Sequence, residues 1–136
     1  MYLGWKSAFP YRSICAMSAI ALGVGCRGGE SATYVLKTAN RDTMPVIVHA
    51  DSVCLVQLMG GTLILKNRKF SIDYTLRKVC PTGSTPLPDP GTHGRYDINI
   101  GVITFRDSLG SIMNRGELRG DTVAVPGRMQ TLRFIK

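Results

Sequence analysis

From Thr33 onward every periodic segment of this chain alternates with period two, and no window of about 11 residues carries a helical stripe. A chain patterned this way buries one face of each strand and wets the other, so it is expected to fold as an all-β domain. Phe70–Arg77 is the clearest case. Phe70, Ile72, Tyr74 and Leu76 take one face, while Ser71, Asp73, Thr75 and Arg77 take the other. Val53–Met59 alternates less cleanly, but Cys54, Val56 and Leu58 share one parity. Further strands are expected over Thr33–Thr38, Val46–His49, Gly61–Lys66, Gly94–Ile98, Val102–Arg106, Ile112–Arg119, Thr122–Val125 and Met129–Ile135.

The separators are turn residues: Asn40-Arg41-Asp42, Gly60-Gly61, Asn67-Arg68, Asn99-Ile100-Gly101, Asp107–Gly110, Gly120-Asp121 and Pro126-Gly127. About 8–10 short strands joined by tight turns make an antiparallel meander, and closing it into a small up-and-down barrel removes its exposed edges. Pro81–Gly91 breaks the pattern with four prolines and two glycines, and reads as a long loop at one barrel end. Inward parity falls on Val56, Leu58, Leu63 and Leu65, on Phe70, Ile72, Tyr74 and Leu76, and on Tyr96, Ile98, Phe105, Leu118, Val123, Leu132 and Phe134. An interior of that kind is either filled by side chains or left as a shallow apolar cup for one small ligand. Tyr74, Tyr96, Gln57 and Phe105 are the residues that would mark such a ligand site.

Ahead of the strands, Ser13–Gly25 is a run of thirteen uncharged, apolar or small residues behind Lys6 and Arg12. That fits the hydrophobic region of a signal peptide and falls short of the roughly 18–20 residues of a membrane-spanning helix. Its ending, Leu22-Gly23-Val24-Gly25-Cys26, resembles a bacterial lipobox, which implies a lipid on Cys26; ordinary signal cleavage and secretion is the alternative. Residues 1–25 are then signal peptide, 26–32 a lipid-anchored tether, and 33–136 the barrel domain. Residue 27 is arginine, not aspartate, and the sorting pattern of enteric bacteria would send such a lipoprotein to the outer membrane, facing the periplasm.

Removing residues 1–25 from 136 leaves 111, enough for one domain of marginal stability. Cys15 leaves with the signal and Cys26 takes the lipid, so Cys54 and Cys80 remain as a pair in an oxidising compartment. A disulfide between them would remove roughly 3–3.5 kcal/mol of unfolded-chain entropy. If Cys80 keeps the register of Phe70–Leu76, both cysteines point inward and would meet across the core. The other use of these thiols is a Cys2His2 metal site with His49 and His93, but no Cys-x-x-Cys or His-x-x-x-His pair fixes such geometry. No metal and no cofactor is expected.

Of 17 basic residues, Lys6 and Arg12 fall in the signal, leaving 15 against 9 acidic ones. The basic residues are scattered at outward parity, which describes a solvated face and not a nucleic-acid groove. Attraction to the anionic membrane beside the anchor is the better use of that charge. No serine stands in a Gly-x-Ser-x-Gly elbow, no phosphate loop precedes a helix, and no pair of carboxylates marks a shared site, so catalysis is not expected. Arg119-Gly120-Asp121 matches an adhesion tripeptide, but Gly-Asp there reads as a strand turn.

The order of motifs resembles the lipocalin-like family of small bacterial envelope lipoproteins. Tyr34-Val35-Leu36 matches its opening strand, and Met44-Pro45-Val46 its Pro-Val step. Gly61–Phe70 follows the family's Gly-x-Leu-x-Leu strand with an Asn turn before an aromatic residue. Gly94-Arg95-Tyr96, Ile103-Thr104-Phe105, Gly116–Val123 and Leu132-Arg133-Phe134 continue the order. The resemblance implies a small β-barrel without catalytic residues. It carries over no ligand: the lipocalin Gly-x-Trp is missing from the first strand, and the one tryptophan is Trp5. A non-catalytic envelope lipoprotein follows, binding a small apolar or lipid-like ligand or serving as an interaction scaffold. The alternative is a protein-binding module, such as an inhibitor of a cell-wall enzyme or an envelope assembly accessory.

Overall fold

The computed structural model describes residues 31–128 and 130–136; the signal peptide, the lipid site at Cys26 and most of the tether expected above lie outside them. The first strand, β1 (Ser31–Ala39), has a partner on each side. It pairs with β4 (Leu55–Lys66) through Tyr34↔Leu63 and with β11 (Thr131–Ile135) through Leu36↔Phe134. Those two ladders close the sheet. The other members of the ring are β5 (Lys69–Cys80), β7 (Thr92–Asn99), β8 (Val102–Arg106), β9 (Ile112–Arg119) and β10 (Thr122–Pro126), in the order β1-β11-β10-β9-β8-β7-β5-β4. The fold is therefore a closed, eight-stranded antiparallel barrel, as the alternation predicts.

β4 and β5 have twelve residues each and outrun the ring. Beyond the rim, β3 (Val46–Ala50) pairs with the start of β4, and β6 (Gly83–Leu87) pairs with the end of β5. The result is a four-stranded flap, β3-β4-β5-β6, continuous with the barrel wall. A two-residue strand, β2 (Asp42–Thr43), pairs with the end of β1.

Three expectations change here. Gly60-Gly61 is not a turn but lies inside β4, where the register with β5 shifts by one residue between Leu58 and Gly60. A Cβ on Gly61 would lie 2.9 Å from Tyr74 Cδ1 and 3.0 Å from the Asp73 carbonyl oxygen, so the Tyr74 ring takes the space a side chain would need. Pro81–Gly91 is not a free loop, since Gly83–Leu87 forms the outer strand of the flap. Pro86 is tolerated there because an edge strand needs only one of its two hydrogen-bonding sides. Finally, Cys54 and Cys80 are bonded, with Cα atoms 4.4 Å apart, but not across the core. They face each other on neighbouring strands, one position beyond the Leu55↔Val79 pair, and staple the flap.

Inside the ring, Leu63, Ile103, Phe105, Val123 and Phe134 are fully buried. Phe70 meets Phe105 edge to face, with ring centroids 4.8 Å apart. Leu58, Leu65 and Ile72 join them as expected, and so do Tyr34, Leu36, Ala39 and Val125, which the parity reading did not include. Ile98 is the reverse case. Its parity is inward, but at the end of β7 it has passed the last layer of core and is 47% exposed.

The two barrel ends are built differently. One carries the flap, the Asp107–Ser111 turn and the Gly127–Gln130 turn. The other carries three two-residue hairpin turns, Asn67-Arg68, Ile100-Gly101 and Gly120-Asp121, and the start of β1. The wall between them presents Asp73, Arg95, Asp97, Arg115, Glu117 and Arg133 outward, all exposed, where a membrane-spanning barrel would carry an apolar band.

Candidate functional site

β5 and β7 are paired only from Lys69↔Arg95 to Ile72↔Thr92, and β6 takes over β5 from Leu76. Tyr74 falls in the gap between these ladders. Its N–H donates instead to Asp89 Oδ2 at 2.7 Å, so the Pro88-Asp89-Pro90 segment supplies the missing acceptor and fixes the barrel mouth. Burial pushes the Tyr74 phenol above its ordinary value, and the Asp89 carboxylate raises it further.

Under this mouth is a cup of about 210 Å³. Phe70, Ile72 and Phe105 form its floor, and Tyr74, Thr92, Met113, Asn114 and Val125 its wall. Asn114 is held in place, with Nδ2 donating to the Pro126 carbonyl at 2.7 Å and Oδ1 accepting from the Arg115 N–H. The lining is mainly apolar, and its volume is below the roughly 300 Å³ at which drug-sized ligand pockets begin. It suits a short apolar group or one inserted side chain.

Of the four residues expected to mark a ligand site, Tyr74 and Phe105 meet in the cup. Tyr96 does not: paired with Phe105 in the β7–β8 ladder, it packs against the core outside the cup lining. Gln57 does not either. It lies between Ile47 and Arg77 on the flap, on the face away from Leu58. Asp89, Thr92, Met113 and Asn114 were missed. A carboxylate between two prolines was a visible signal for Asp89, whereas Met113 and Asn114 depend on which turn of the barrel faces Tyr74.

The residues considered for chemistry stand apart. His49 is on β3 and His93 on β7, both exposed, and the thiols are bonded to each other. Among the described residues no three His, Cys, Asp or Glu side chains gather into a metal-ligating group. Asp51, next to His49, is occupied by its own turn. Its Oδ1 accepts the Cys54 N–H at 2.6 Å and the Val53 N–H at 2.8 Å, and those bonds lower its carboxyl below the usual range. Gly120, with φ at 57°, serves the β9–β10 turn.

Large apolar side chains are exposed at the flap end: Ile47 and Val48 on β3, Val53 in the following turn, and Leu109 in the β8–β9 turn at 90%. Comparison with protein-family models, curated proteins and solved structures finds no match to this chain.

Proposed function

We propose that this chain is a non-catalytic lipoprotein of the bacterial cell envelope, of the lipocalin-like kind it resembles, and that its barrel is an interaction module. The observation that supports this is the set of bulky side chains buried inside the barrel. Phe105, Phe134, Leu63, Ile103 and Val123 are fully buried and the cup above Phe105 holds only about 210 Å³, which favours a role carried by the surface. The apolar side chains exposed at the flap end suit a protein contact. On this reading, residues 1–25 direct export, the lipid on Cys26 anchors the chain, and Arg27 allows sorting to the outer membrane. An excess of six basic residues in the mature part favours an acidic partner, because a basic cell-wall enzyme would be repelled at long range.

The cup supports a second reading, in which Tyr74 and Phe105 hold a small apolar ligand. A native mass spectrum of residues 27–136, exported without the Cys26 anchor and purified gently from the periplasm, separates the two. A bare mass, two hydrogens light for the disulfide, is expected for the interaction module. Extra mass that is lost on denaturation would make the barrel a carrier.

A further inference from the structure

The hairpin end of the barrel has a charge pattern unlike the rest. Lys66, Arg68, Lys69, Arg119 and Lys136 are all exposed there, against Asp97, Glu117 and Asp121 toward the same rim. Arg119 is paired with Glu117 at 3.2 Å, the one ion pair these five make among the described residues. Toward the opposite, flap end the charges balance, with Asp42, Asp51, Asp89 and Asp107 against Arg41, Arg77, Lys78 and Arg128.

One apolar side chain projects from the basic end. The Tyr96 N–H donates to the Arg68 carbonyl at 2.9 Å, so these residues are level and Ile98, Asn99 and Ile100 extend past them. Ile100 is 95% exposed at the tip, with φ at 48° and Gly101 at 73° behind it. A two-residue turn of this kind takes Asn or Gly at its first position, and a β-branched residue is strained there. Ile98 and Val102 flank it, both partly exposed. β1 starts on the same rim, with Ser31 opposite Lys66. Four residues lie between Cys26 and Ser31, and the five residue steps reach at most about 18 Å.

We infer that this end is a seat for an anionic phospholipid surface, with Ile100 entering the interface and Lys66, Arg68, Lys69 and Lys136 meeting lipid phosphates. A strained, exposed isoleucine on a rim where cations outnumber carboxylates is an interfacial anchor in miniature. The seat deepens the envelope-lipoprotein reading and rests on it for the tether: a lipid on Cys26 would hold this end down and turn the flap away from the membrane.

The test is amine-labelling of the full chain, with and without vesicles of phosphatidylglycerol and phosphatidylethanolamine, beside vesicles of phosphatidylcholine alone. On the anionic vesicles Lys66, Lys69 and Lys136 are expected to be protected, while Lys37 and Lys78 stay reactive. Arg68→Gln should weaken partitioning about fivefold. Ile100→Asn, which suits the turn, should also weaken it, and Leu109→Asn at the flap end should not. Uniform labelling, or the same labelling on neutral vesicles, overturns the seat whether or not the chain floats with lipid. The Cys26→Ser chain keeps the two ideas apart. If it stays bound as tightly as the wild type, the lipid anchor is overturned and the seat is judged by its lysine footprint alone.

Discussion

Ile100 is held in the left-handed region, where a β-branched residue costs about 1–2 kcal/mol relative to a residue suited to the turn. Since its side chain is almost wholly exposed, no packing in the isolated domain offsets that cost. Ile100→Gly or Ile100→Asn should therefore raise the melting temperature, at about 4–8 °C per kcal/mol for a domain of this size, as read by calorimetry. An unchanged value would mean the turn carries no strain. Two tyrosines contribute to stability on the alkaline side. Burial is the main cause raising both Tyr34 and Tyr74, with Asp121 then Tyr96 adding to the first and Asp89 to the second. Unfolding frees both phenols to ionise near their ordinary value of 10. Their contribution is thus complete below pH 10 and lost as pH climbs through the raised folded values. Melting temperature against pH should fall past that point, and less steeply in Tyr74→Phe. Asp51 works in the opposite direction: its lowered carboxyl supports the Asp51–Cys54 turn above its ordinary value of 3.8 and stops doing so as pH falls through the folded one.

Among the elements, the flap depends most on its covalent and polar ties. β4 and β5 are joined by the Asn67-Arg68 turn and zipped as far as Leu55↔Val79, and the disulfide clamps the open end. Cys54→Ser should lower the melting temperature by about ten degrees or more, from roughly 3–3.5 kcal/mol of loop entropy. Hydrogen exchange should show the location: the global loss should speed the slowest amides of β8–β10, and those of β3 and β6 should be speeded more. Equal acceleration everywhere would make the disulfide a global cross-link and not a flap staple. Asp89 is the polar counterpart. Asp89→Ala leaves the part-buried Tyr74 N–H without its acceptor and should cost about 1–3 kcal/mol in denaturant unfolding.

At the scale of the molecule, one small core carries the barrel. Phe105 is 2% exposed, packs on Phe70 and forms the floor of the cup, so Phe105→Ala should cost about 3–5 kcal/mol. Against a total of about 5–15 kcal/mol, that change brings the whole domain near unfolding, which a urea titration would show. If the variant stays folded, it widens the cup at its floor. Gain of an apolar dye by the variant but not the wild type would then support a barrel that is normally full.

Period two and the turn residues between its runs determined the all-β class, the span of β8 and β9, and most inward residues, because alternation and turn chemistry are local properties. Even parity of Cys54 and Cys80 with their strands was visible, and so was their pairing. What the chain could not show locally was where strands stop being barrel and become flap. Gly60-Gly61 looks like a turn until Tyr74 is seen lying over Gly61, and Pro81–Gly91 looks like a loop until β5 is seen extending far enough to pair with Gly83–Leu87. Ile98 has the right parity at the wrong height. Tyr74 and Phe105 met because strand stagger brings them to one level of the barrel, while Tyr96 and Gln57 sit at other levels or on another face. Parity decides which side of the wall a residue takes, and only closure of the sheet, by ladders between residues as distant as Leu36 and Phe134, decides its depth.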